Sequence, residues 1–60
     1  MLTLEGLTPL QLSIEDASYQ AKKMIEKSKG TQEESLFRMM HRDLEHALLT
    51  LGTIRELLEK

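Results

Sequence analysis

The side chains of this chain with the most chemistry in reach are two histidines and their acidic neighbours. His41 and His46 lie five positions apart, which turns them about 140° from each other on a helix of ~3.6 residues per turn, so they cannot share one metal ion. His41 and Glu45, four apart, do share a face, and they read as a solvated pair because two ligands on an exposed helix make no site unless others converge on them. Asp43 is placed to stay in water or to meet a partner's cation. No nucleophile is accompanied by a base and an orienting group, and there is no glycine-rich phosphate loop. The expectation is a protein that is not an enzyme and holds no cofactor or metal. Lys22, Lys23, Lys27 and Lys29 form the one local basic cluster. Glu26 interrupts it and arginine and aromatics are missing from it, so it reads as dipole complementarity and solubility. A dimeric four-helix-bundle nucleic-acid-binding regulator is the alternative that would use it, through phosphate contacts doubled by the dimer.

The elements that must carry these residues are bounded by length and composition. Sixty residues with a net charge of −2 and no cysteine make one domain, over 1–60, without disulfides or thiolate metal sites. A chain this short buries only ~60% of the surface it would expose when unfolded, so association is the remaining source of stability. The balanced charge provides no strong pull toward nucleic acid or anionic membranes. No apolar run approaches the ~18 residues of a membrane span, and the expected compartment is the cytosol.

The periodicity predicts an all-α chain, an antiparallel two-helix hairpin. Thr8, Pro9 and Gln11 suit a helix start, with Ser13 to Asp16 a second possible start, and Lys27, Lys29 and Gly30 suit a helix end. This places helix 1 at about 8–28, a turn at 29–31, and helix 2 at about 32–59 opened by a capping box at Thr31 to Glu34. Leu10, Ile14, Ala17, Ala21 and Met24, with Ile25 beside them, form a narrow stripe on helix 1. On helix 2, Phe37, Met40, Leu44, Ala47, Leu51, Ile54 and Leu58 form a seam in steps of three and four, widened by Leu36, Met39, Leu48 and Leu57. With a short turn, Met24 should meet Phe37, Ala21 meet Met40, Ala17 meet Leu44, Ile14 meet Ala47 and Leu10 meet Leu51. The same register brings Leu7, Leu4 and Leu2 toward Ile54, Leu57 and Leu58. Gly52 interrupts helix 2 as a tolerated weak point or a place where a partner's backbone comes close.

That seam is about twice as wide as one neighbouring helix covers, so part of it awaits another surface. The candidate partner-binding residues are Leu36, Phe37, Met40, Leu44, Leu48 and Leu51 on helix 2, with Tyr19 near Leu12 on the back of helix 1. The chain alone should form a homodimer.

The opening Met1 to Glu5, the charged first helix, the turn at Lys29 and Gly30, Phe37 soon after the second helix starts, and the block Asp43 to Gly52 together resemble the small E-type co-chaperones of type III secretion needle subunits. Pro9 and a turn with a single glycine depart from that pattern. The resemblance implies a helical hairpin that binds and stabilises a tetratricopeptide-like helical chaperone. Through that chaperone it would act on the needle subunit in the bacterial cytosol, in the service of virulence.

Overall fold

The computed structural model describes residues 3–59, and the expectations for Met1 and Leu2 fall outside that range. Two helices make up the hairpin, α1 (Leu4–Lys27) and α2 (Glu33–Glu59), packed antiparallel along a body of 46 × 16 × 14 Å. The all-α hairpin read from the sequence is the observed architecture.

α1 begins one turn earlier than the Thr8 start that the sequence favours. Thr3, in extended conformation, accepts the Gly6 amide on its hydroxyl at 3.1 Å, and Glu5 lies in the first turn where the dipole favours an acid. Pro9 therefore sits inside the helix instead of opening it, at an exposed position where water can serve the Glu5 carbonyl that lacks a proline N–H donor. The early start is held by packing: Leu7 retains only 2% of its exposure, so the first turns of α1 lean on α2.

The turn follows the expected residues with a different pattern of bonds. Ser28 caps α1, its amide donating to the Met24 carbonyl at 2.9 Å and its hydroxyl to the same oxygen at 2.6 Å. Gly30 has φ of +83°, the left-handed region where a side chain is strained. The Thr31 hydroxyl donates back to the Ser28 carbonyl at 2.6 Å, so it closes α1 and does not cap α2 as the capping box predicted. Glu34 reaches one residue further than expected, accepting the Gly30 amide at 3.1 Å. Arg38 holds the same carboxylate from the next turn, with Nε at 3.1 Å and Nη2 at 2.7 Å. These donors keep the Glu34 carboxyl below its usual range, the Gly30 amide first and Arg38 second.

The seam between the helices is rotated relative to the predicted stripes. On α1 the positions facing α2 are Leu7, Gln11, Ile14, Ser18, Ala21, Ile25 and Ser28, alternating four and three; on α2 they are Glu34, Phe37, His41, Leu44, Leu48, Leu51, Arg55 and Leu58. Leu10, Met24 and Met40, assigned to the interior by the sequence, stand exposed. The register is shifted as well: Ser18, expected opposite Asp43, donates its hydroxyl to Glu45 Oε1 at 2.9 Å. Toward the open end Arg55 bonds Gln11. Polar pairs within the seam make this rotation tolerable, because a part-buried hydroxyl or guanidinium that finds a partner avoids the cost of burial without one. Leu57 is exposed and is not covered as the predicted register required, and the expectation for Leu2 lies outside the described residues. At Gly52 an added methyl would meet nothing of this chain within 4 Å, so no close approach within the hairpin requires the glycine.

Candidate protein-interaction face

Rotation of the seam divides the surface of the hairpin into two unlike faces. One is polar and carries the residues with chemistry in reach. Glu15, Ser18, Tyr19 and Lys22 of α1 line a shallow depression with His41, Glu45 and Leu48 of α2, and Leu4, Thr8, Gln11 and Leu12 line another with Arg55 and Glu59. Within the first, His41 Nε2 lies 3.3 Å from Glu45 Oε1, the oxygen that accepts from Ser18, so the three form a chain across the seam. The solvated His41 and Glu45 pair of the sequence thus also ties the helices together. His46 lies elsewhere on α2, and no group of three His, Asp or Glu side chains converges anywhere among the described residues.

The lysine cluster is also partly engaged. Lys23 places its ammonium 4.7 Å from the centre of the Tyr19 ring, an aromatic partner not anticipated from the sequence, and Lys29 approaches Glu26 at 3.7 Å.

The opposite face is apolar and belongs to both helices. At 100° per residue, the flank of α1 turned away from Ser18 and Tyr19 carries Leu10, Ala17 and Met24 at seven-residue spacing, and the matching flank of α2 carries Met40, Ala47 and Ile54. With Ser18 beside Glu45, these fall into rows across the hairpin, Leu10 beside Ile54, Ala17 beside Ala47 and Met24 beside Met40. The face therefore has a shallow waist of two alanines between two bulky ends. At the turn end it continues into a shallow, open groove along α2 lined by Leu36, Met39, Met40, Asp43 and Leu44. Among the described residues ten large apolar side chains stand exposed against four buried apolar ones, Leu7, Ala21, Ile25 and Leu51. Isolated exposed apolar residues are ordinary, but a continuous apolar face is a mark of an interaction surface.

The candidate partner-binding residues separate accordingly. Leu36, 63% exposed, Met40 and the half-buried Leu44 meet in one groove on the apolar face. Phe37 is half-buried in the seam, and Leu51, 4% exposed, is enclosed by the hairpin and leaves no surface for a partner. Tyr19 and Leu48 lie on the polar face. Leu10 and Met24 were missed as surface residues because their spacing is also that of a seam, while Ala17, Ala47 and Ile54 on the same flank are half-buried. The signal that could have found them is the parallel series Gln11, Ser18, His41 and Arg55, one position over and able to pair across the helices.

Comparison with protein-family models, curated proteins and solved structures finds no match. No helix among the described residues is long and apolar enough to cross a membrane.

Proposed function

We propose that this chain is a non-enzymatic protein-interaction module, a co-chaperone that binds and stabilises a tetratricopeptide-like helical chaperone of a type III secretion needle subunit in the bacterial cytosol. The observation that carries the interaction reading is the apolar face running the length of both helices, with Leu10, Met24, Leu36 and Met40 exposed on it. Burial of such side chains contributes about 1.5–3 kcal/mol each when complete, and roughly half of that where a side chain is already half covered. Four or five such residues contribute roughly 3–7.5 kcal/mol, which reaches the low end of the ~4–15 kcal/mol cost of holding two proteins together, so contacts along the rest of the face must add to them. The elongated shape favours a helical partner, because a ridge and groove pattern along two helices matches the surface of a third and fourth. Polar groups at the other face are bonded to one another and surround no enclosed cavity, which supports a role in holding the hairpin. The assignment to a needle chaperone rests on the resemblance in the opening residues, the turn and the Asp43 to Gly52 block.

Co-expression with the tetratricopeptide-like chaperone of a type III secretion system encoded beside this chain tests the reading. A stoichiometric complex that Met40→Asp disrupts, with helix content unchanged, is the expected result. Neighbouring frames without such a chaperone, or co-expression that gives no complex, would refute it.

A further inference from the structure

We infer that the apolar face is also the contact between two copies of this chain, which pair face to face about a two-fold axis along the hairpin into a four-helix bundle. The inference rests on the reading of that face as a binding surface and is independent of which protein is its heterologous partner.

Area is the first argument. A compact monomer of 6.9 kDa exposes about 4,000 Å² by the scaling of folded proteins, whereas this hairpin exposes 4802 Å². The excess, about 800 Å², comes from the elongated shape and is spread over both faces. One broad side of a body 46 Å long and 16 Å wide covers on the order of 700 Å², close to what one partner contributes to an interface of standard size. A second copy supplies that area with no addition to the sequence.

Matching across the face is the second argument. A two-fold axis along the hairpin lays α1 of one copy over α2 of the other and returns each row onto itself. Leu10 and Ile54 then meet their equivalents at one end, Met24 and Met40 at the other, and the row of Ala17 and Ala47 lets the backbones approach between them. The unbranched methionines fill an irregular end better than branched side chains would. Asp43 is the one charged residue at the groove, and the rim of α1 opposite it carries the uncharged Ser13 and Gln20, so no like charges are forced together. The polar face offers no such surface: Glu15, Lys22, Glu45, Arg55 and Glu59 would all have to lose water. A heterologous partner that uses the same face must displace the second copy.

Sedimentation equilibrium of the full chain across a wide concentration range tests the inference. The wild type should fit a monomer and dimer equilibrium. Met40→Glu and Leu10→Glu, at opposite ends of the face and exposed in the hairpin, should each weaken the dimer on the order of a hundredfold with helix content retained, since the axis places every substitution at two sites. Tyr19→Glu, on the polar face, should leave dimerisation unchanged. A wild type that stays monomeric at every concentration overturns the inference while leaving the co-chaperone reading to its own co-expression test. Weakening by Tyr19→Glu equal to that by Met40→Glu overturns it too, by moving the contact to the other face.

Discussion

Replacing Leu51 and Leu49 in turn by alanine compares the same chemical change on the same helix at two depths. Leu51 is 4% exposed and Leu49 72% exposed, so only the first substitution removes buried contacts. A buried leucine truncated to alanine costs about 2–5 kcal/mol, the sum of lost transfer energy and the cavity left behind. Here a single neighbouring helix can close partly over the gap, which places the expected cost near about 2–3 kcal/mol. A chain of this length is stabilised by about 3–9 kcal/mol in all, so the loss is a large fraction of it. At roughly 4–8 °C per kcal/mol for a small domain, the melting temperature should fall by about 8–24 °C. Leu49→Ala should stay within about 0.5 kcal/mol of the wild type, since a solvent-facing methyl cluster is removed from nothing. The gain in helix propensity from leucine to alanine is common to both variants and cancels in the comparison. Far-ultraviolet circular dichroism during heating reads both shifts, at one protein concentration because association adds to apparent stability. Equal shifts, or a larger one at Leu49, would refute the placement of Leu51 inside the hairpin and Leu49 outside it.

Gly52→Ala should raise stability by up to ~1 kcal/mol, because the added methyl meets nothing within 4 Å and the helix gains a better former; a lower melting temperature would contradict an open surface there. Glu34 makes stability depend on pH in one direction. Its carboxyl is held below the usual range by the Gly30 amide and then by Arg38, so its contribution is complete above the ordinary carboxylate range and is lost as pH falls through the depressed value. Glu34→Gln should therefore melt lower than the wild type at neutral pH and converge with it in acid, whereas a gap that persists at low pH would point to a lost contact unrelated to ionisation.

The hairpin itself was legible because its signals are local. The charged end of helix 1, Gly30 and the acids after it mark a turn from sequence neighbours alone, and the observed α1 end at Lys27 and α2 start at Glu33 fall beside the expected limits. The beginning of α1 was not legible in the same way. Thr3 and Thr8 are both competent caps, Pro9 suits the second, and the decision is made by burial of Leu7 against a helix more than forty residues away. The capping box at Thr31 was misjudged for a related reason: the Ser28 carbonyl competes for its hydroxyl, and only the folded turn brings the two together. The seam keeps Ile14, Ala21, Phe37, Leu44, Leu51 and Leu58 of the predicted stripes but is rotated by less than one residue step around each helix, because apolar periodicity ranks Ser18, His41 and Arg55 as outward residues. Paired with Glu45 and Gln11 across the hairpin, such groups occupy seam positions, and Leu10, Met24 and Met40 are turned out to the surface. The width of the apolar seam was thus correctly read from the sequence, while its division between the inside of the hairpin and the open face depended on polar pairs.

Accessibility of the methionine methyl groups and the Tyr19 ring to a paramagnetic cosolute, followed by nuclear magnetic resonance, tests the binding face directly. Met24 and Met40 lie on the apolar side and Tyr19 on the polar side, so one spectrum reports both faces. In the dilute chain all three should be accessible. On association, with a second copy or with the helical partner, Met24 and Met40 should become protected together while Tyr19 stays accessible; protection of Tyr19 with Met24 and Met40 still open would contradict the account.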